Sequence, residues 1–194
     1  MDTYRTIAAP ATGLFKDKGS KFLAFAFPVE NEMEIKQHIQ QLKKEYFDAR
    51  HHCYAYRLGI SGKHWRANDD GEPSSTGGKP ILGQLLSLEL SDMLIVVVRY
   101  FGGIQLGVPG LINAYRSAAA DVLAHAEIIE KTAKEILTIT FSYLNMNKVM
   151  KLVKDEGLEI TAQHFDNECE IKIAVPLSKK DKMVHELHEF ARIT

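Results

Sequence analysis

Little in this sequence advertises chemistry. There are two cysteines in 194 residues, Cys53 and Cys169, far apart and in different pattern contexts. They exclude a disulfide framework and any zinc site built on paired Cys-x-x-Cys spacing. No apolar run approaches the ~20 residues of a membrane-spanning helix, and the start carries no basic segment followed by an apolar one. Charge of one sign is also lacking. The 24 Lys and Arg against 25 Asp and Glu leave a net charge of −1. Residues 1–130 carry 14 basic and 15 acidic side chains, and residues 131–194 carry 10 of each. Neither half is basic enough for strong nonspecific nucleic-acid binding. Repeats and low-complexity tracts are missing. What remains reads as a soluble cytoplasmic protein, 45% hydrophobic, with enough apolar residues for a sizeable core.

The informative stretch is Asp69 to Arg116. A first loop runs Asp69–Pro80 and contains Gly71, Glu72, Pro73, Ser74, Ser75, Thr76, Gly77, Gly78 and Lys79. Six uninterrupted apolar residues follow, Met93–Val98, and predict a strand covered on both faces. A second glycine-rich loop, Arg99–Gly110, leads to a helix beginning near Leu111. Between Met93 and Ala120 there are two arginines, Arg99 and Arg116, and no acid. Glycine at this density marks special backbone angles or close approach.

Around this stretch the pattern predicts two domains, 1–130 and 131–194. In the first, residues 3–9 and 21–29 are strands, with 13–20 a turn between them. Asn31 caps a helix with Glu34 three residues on, as in a capping box. Ile35, Ile39, Leu42 and Tyr46 form its apolar stripe. Residues 50–60 and 63–67 form a hairpin, Ile81–Leu90 a short helix, and Leu111 to about Ala126 a helix packed closely through its alanines. The second domain reads β-α-β-β-α. Strands cover 135–143, 158–165 and 168–176, with a turn at Asp166-Asn167. Asn145 and Ser178 cap its two helices, and Gly157 closes the first.

Each candidate chemistry fails on spacing. The second loop lacks the dinucleotide fingerprint and opens its helix without Gly-Lys-Ser/Thr. Its strand–loop–helix setting still suits an anion held by backbone N–H groups, with Arg99 or Lys79 assisting. His51, His52, Cys53 and His64 cluster in sequence, but neighbours in a strand face opposite ways. Ser74, Ser75 and Thr76 sit in a Gly/Pro-rich loop where hydroxyls make turn hydrogen bonds, and no Gly-x-Ser-x-Gly is present. Arg99-Tyr100-Phe101 places a cation and two aromatics beside a glycine hinge, a device for stacking single-stranded bases. Core packing is the plainer expectation for Phe101, while Tyr100 is left open.

The residues Asp70-Gly71-Glu72-Pro73-Ser74, Lys79-Pro80-Ile81-Leu82 and Val97-Val98-Arg99-Tyr100-Phe101-Gly102-Gly103-Ile104-Gln105-Leu106-Gly107 resemble the YigZ/IMPACT family. Lys18-Gly19-Ser20-Lys21-Phe22 and His52-Cys53-Tyr54-Ala55-Tyr56 support the match. It covers about residues 15–126, and the remainder is similar to the second domain of the bacterial members. Gln105 stands where the family usually has a basic residue. Val108-Pro109 replaces a small residue followed by glycine, and Ser75 and Gly77 stand where glycine and alanine are common. The resemblance implies an α/β (α+β) fold: a ribosomal-protein-type βαβ domain, then a ferredoxin-like domain similar to the last domain of elongation factor G. Eukaryotic relatives regulate translation by competing for a ribosome-associated coactivator of a starvation-response kinase. For a bacterial-type two-domain chain, what transfers is a link to translation or RNA.

Three readings follow. The first is a non-enzymatic binding protein linked to translation, with a ribosome, RNA or translation-factor partner. The second is an enzyme or sensor for an anionic phosphate ligand, held by Gly102, Gly103 and Gly107 with Glu72 or His52 moving protons. The third is structural: the loops pack the two domains or a homodimer, with Tyr100 and Phe101 buried and the loop dry. The site residues common to these expectations are His52, Glu72, Ser74, Thr76, Lys79, Arg99, Tyr100, Gly102, Gly103 and Gly107. No cofactor, metal or membrane partner is expected.

Overall fold

The structure is a computed structural model that describes residues 2–166 and 168–194. The chain divides into two compact units, Tyr4–Lys131 and Thr132–Thr194, the latter joined by the residues up to Thr3.

The first unit is built on a five-stranded sheet. In chain order its strands are β2 (Ala11–Asp17), β3 (Ser20–Pro28), β4 (His51–Leu58), β5 (His64–Asn68) and β6 (Met93–Tyr100). A separate strand, β1 (Thr3–Ile7), precedes them and pairs with β7 (Ile128–Thr132). The sheet order is β2-β3-β6-β4-β5, antiparallel throughout. Helix α1 (Glu32–Glu45) joins β3 to β4. These two strands therefore run parallel, with β6 inserted between them: a split βαβ motif.

Strand β6 explains its own sequence. Met93, Ile95 and Val97 pack into a core with α2 (Gly78–Ser87) and α3 (Gly107–His125). Leu94, Val96 and Val98 point the other way, into a core with Ile35 and Leu42 of α1. All six are fully buried. An antiparallel strand this apolar is unusual, and coverage on both faces is the reason. At the start of α1, Asn31 accepts from the Glu34 N–H at 3.0 Å, as a capping box requires. Glu34 reaches one residue further back than the motif prescribes and accepts from the Glu30 N–H at 2.9 Å.

Several boundaries differ from the sequence reading. Residues 13–20 are not a turn. Ala11–Asp17 forms β2, and only Lys18 and Gly19, both at positive φ, make the bend to β3. Helix α2 begins at Gly78 and α3 at Gly107, three or four residues earlier than expected. Lys79, Pro80 and Gly107 thus belong to helices, and Arg99 and Tyr100 end a strand rather than open a loop.

The second unit has a four-stranded antiparallel sheet: β8 (Lys134–Phe141), β9 (Glu159–Phe165), β10 (Cys169–Pro176) and β11 (Arg192–Ile193). Helices α4 (Met146–Asp155) and α5 (Lys180–Leu187) connect them. The order β11-β8-β10-β9 is the ferredoxin-like arrangement. Its fourth strand, β11, is too short to leave a period-two signal. Leu137, Ile139 and Phe141 of β8 face Cys169, Ile171, Ile173 and Val175 of β10 and Val149 and Val153 of α4 in one core. Neither predicted cap forms. Tyr143–Asn145 is a short 3₁₀ turn, and the Asn145 amide donates to the Phe190 carbonyl. Ser178 also lies in a 3₁₀ turn, Leu177–Lys179, and its N–H donates to the Asp2 carboxylate. The predicted turn at Asp166-Asn167 reaches Asn167, which lies outside the described residues.

Candidate functional site

The loop Asp69–Gly77 folds around one carboxylate. Asp69 accepts from the N–H groups of Ser75, Gly77 and Gly78 at 2.8, 3.0 and 2.8 Å. Its backbone carbonyl accepts from the Glu72 N–H and from the Cys53 thiol. The orphan donors of α2's first turn are thereby capped from nine residues upstream. Asp70 does the next job. Its carboxylate accepts from the His52 N–H at 2.7 Å and from Lys43 Nζ at 2.8 Å. Burial raises the Asp70 carboxyl, but these hydrogen bonds outweigh it and hold the group below the usual range.

The result presents Glu72 to the end of β6. Glu72 Oε1 accepts from Arg99 Nη1 at 2.6 Å and from the Tyr115 hydroxyl at 2.8 Å. Both members of the ion pair are nearly sealed, with side chains 8% and 3% exposed for Arg99 and Glu72. Arg99 Nε is buried with no acceptor among the described residues. The guanidinium lies 5.5 Å from the Phe22 ring centre and 5.8 Å from that of Phe101. Tyr115 is fully buried, edge-on to Phe22 at 5.1 Å. Burial, then neighbouring Cys53 and Glu72, push its hydroxyl well above the usual phenol range. Burial likewise pushes the Cys53 thiol up, which removes it as a nucleophile near neutral pH.

Arg99 and Glu72 of this triad line a cleft of about 860 Å³, and Tyr115 is buried outside its lining. One wall is Asp48–His51, and the other is Gln105–Val108 at the start of α3. Tyr100 stands between them and donates to Asp48 Oδ1 at 2.7 Å, a bond that holds its own hydroxyl protonated up to about pH 12. The second loop is pinned by close approach. Gly102 donates to Ser20 Oγ at 3.1 Å, and a Cβ on it would lie 1.9 Å from the Gly19 carbonyl carbon.

Of the expected site residues, Glu72, Arg99, Tyr100 and Gly107 line this cleft. The others do not. His52 faces away from it beneath α1, 4% exposed, and burial lowers its pKa; His51 lines the cleft in its place. Ser74 is exposed, and the Thr76 hydroxyl donates to the Pro73 carbonyl. Lys79 sits with Arg116 in a separate groove between α2 and α3. The Gly102 N–H is taken by Ser20, and Gly103 lies in open space at φ +89°. Phe101 overturns the expectation of core packing: it is 57% exposed, beside Ile104 and Val108 at 56% and 52%. The signal for Phe101 was present in the strand's own alternation. Position 101 follows Arg99 on the same face, one step beyond the last residue that the sheet covers. Among the described residues no three His, Cys, Asp or Glu are placed to hold a metal ion, and no helix is long and apolar enough to cross a membrane.

A mixed sheet-and-helix domain with this buried Arg–Glu–Tyr cluster defines a class, and comparison with known proteins names it. Residues 18–123 match the family model described as the Impact N-terminal domain, and the chain belongs to the IMPACT family, as its motifs indicated. It is 35% identical over 156 residues to the IMPACT family member YvyE of Bacillus subtilis, covering 80% of this chain and 72% of that one. Against the IMPACT family member YigZ of Escherichia coli it is 29% identical over 194 residues, covering 99% and 95%. The chain is similar in fold to a crystal structure described as that of a hypothetical protein, with a TM-score of 0.77, 28% identity and coverage of 100% and 97%.

Proposed function

We propose that this chain is a non-enzymatic binding protein tied to translation, and that it contacts the ribosome or RNA through the cleft above Arg99. Membership of the IMPACT family supports the tie to translation. The observation that carries the contact surface is the exposed Phe101 ring beside a buried cation at the cleft mouth. An exposed aromatic costs solvation unless something covers it, and a ring beside a guanidinium is a platform on which an unpaired base stacks. The carboxylate and the thiol nearest the cleft are already engaged. Glu72 accepts from two donors and is sealed, and the Cys53 thiol is held protonated.

Co-sedimentation with ribosomes from the source cell, at low and moderate salt, tests the reading. The wild type is expected in the ribosomal fraction, with Phe101→Ala reduced and Arg99→Ala absent. Phe101 is exposed, so its truncation leaves the fold intact and isolates the contact. Absence of the wild type from the ribosomal fraction, with no RNA retained on a filter, overturns the reading.

A further inference from the structure

A groove of about 380 Å³ opens between α2 and α3, apart from the cleft above Arg99. Lys79 and Gly83 stand one turn apart on its α2 side, and Ile112 and Arg116 one turn apart on its α3 side. Ser75, Pro80 and Gln84 complete the lining. Lys79 and Arg116 are exposed, and neither has an ion-pair or hydrogen-bond partner among the described residues. No acid lines the groove. Helix α2 contains none, and the single acid of α3, Asp121, faces β2, where it accepts from the Leu14 N–H at 2.8 Å. Asp69 keeps its charge but lies outside the lining, with its carboxylate turned to the N–H groups of Ser75, Gly77 and Gly78.

Gly83 is an independent observation. It sits in the middle of α2, where glycine costs helix stability relative to alanine. Its φ is not positive, and nothing lies within 4 Å of an added Cβ. Neither backbone angle nor packing calls for it. Its missing side chain leaves open space in the groove beside Lys79, which is the room a ligand needs.

We infer that this groove binds a phosphate monoester of small-metabolite size, at a site separate from the ribosome contact. Arg116 presents a fork of N–H donors and Lys79 a point charge, and the Ser75 hydroxyl and Gln84 amide are uncommitted. Four donor groups suit a terminal phosphate, with three acceptor oxygens and a charge of about −1.5 to −2. A carboxylate offers two oxygens and less charge. Pro80 and Ile112 supply an apolar wall for a short carbon body. The groove is at the small end of the roughly 300–1,000 Å³ usual for small-molecule pockets. No aromatic lines it, so a nucleic-acid strand has nothing there to stack on.

NMR titration of the full chain tests the assignment, with glycerol 3-phosphate as the probe and glycerol, acetate and an oligouridylate without terminal phosphates beside it. Glycerol 3-phosphate is expected to shift the Gly83 and Gln84 amides and the Arg116 Nε–H resonance, with a dissociation constant on the order of 1 mM. Glycerol should shift none of them, and acetate should bind at least about tenfold more weakly. Lys79→Ala and Arg116→Ala each remove one charged donor from an exposed position and should weaken binding by about tenfold or more. Gly83→Leu puts a good helix former into open space, so the melting temperature should hold or rise while binding falls by at least about tenfold. A merely structural role for Gly83 would not separate the two. Phe101→Ala should bind glycerol 3-phosphate as the wild type does, whatever it does to ribosome co-sedimentation. No shifts, shifts confined to the cleft, loss of binding in Phe101→Ala, or wild-type affinity in Gly83→Leu would overturn the site. Acetate binding as tightly as glycerol 3-phosphate would overturn the phosphate class, and tighter binding of the oligouridylate at these same resonances would overturn the small-molecule source.

Discussion

Arg99 Nη1 and Glu72 Oε1 meet at 2.6 Å with almost no solvent on either side chain. They come from the end of the central strand and the middle of a loop 27 residues away, so the contact fixes where that loop sits. Removing one partner strands the other as a buried charge, at a cost of about 3–5 kcal/mol. Glu72→Ala and Arg99→Ala should each destabilise the first unit by that order in urea unfolding. Replacing both with apolar residues of similar volume should recover most of the loss, because the desolvation of both charges is relieved. Tyr115 limits the recovery, since its hydroxyl also donates to Glu72 and would be left without an acceptor.

Asp69→Ala should cost about 2 kcal/mol or more, since the Ser75 N–H of the loop and the Gly77 and Gly78 N–H groups at the start of α2 lose one acceptor together. Asp69→Asn keeps one acceptor oxygen and should fall in between. Thermal unfolding of the three proteins side by side gives the order, and equal stability of Asp69→Ala and wild type would refute it.

Acid should weaken the first unit in two stages. Burial holds the His52 pKa below its ordinary value of 6.5, so the folded state binds its proton less readily than the unfolded chain. Stability is complete above pH 6.5 and falls as pH drops from there towards the folded value, by at most about 1.4 kcal/mol per pH unit. Asp70 is also depressed, below 3.8, so its share is present above that pH and is lost as pH falls through the folded value. Urea midpoints between pH 7.5 and 3 should show both stages. Burial depresses His38 in the same unit as well, so His52→Leu should shrink the upper stage without abolishing it and leave the lower one.

Much of the fold could be read before the structure, where one residue's neighbours in sequence decide its state. The run Met93–Val98, the Asn31–Glu34 cap and the alternation of β8 and β10 are of that kind. The misplaced helix starts were legible in principle. Pro80 and Pro109 are each the third residue of their helices, where a missing N–H costs nothing and glycine neighbours disguise the first turn as loop. The Asp69 cap was not legible, because it acts across a loop whose course no local pattern specifies. Nor was the parting of Lys79 from Arg99: Lys79 rides on α2, and sequence proximity to Glu72 says nothing about which side of that helix it takes.

The glycine pair beside Phe101 separates two reasons for glycine and so tests what positions the ring. Gly102 needs the absence of a side chain, because an added Cβ would overlap the Gly19 backbone at 1.9 Å and neither strand end can yield. Gly103 needs only its backbone angle: φ is +89°, with nothing within 4 Å of an added Cβ. Gly103→Ala should therefore cost about 1–2 kcal/mol and leave Phe101 in place. Gly102→Ala must push the loop off the β2–β3 bend, at about 1–3 kcal/mol or more, and it carries Phe101 with it. Both variants lose stability, but Gly102→Ala should also lose ribosome co-sedimentation well beyond what its stability explains. If the two variants bind alike at matched folded fractions, the position of Phe101 does not govern the contact, and the cleft's other wall at Gln105–Val108 does.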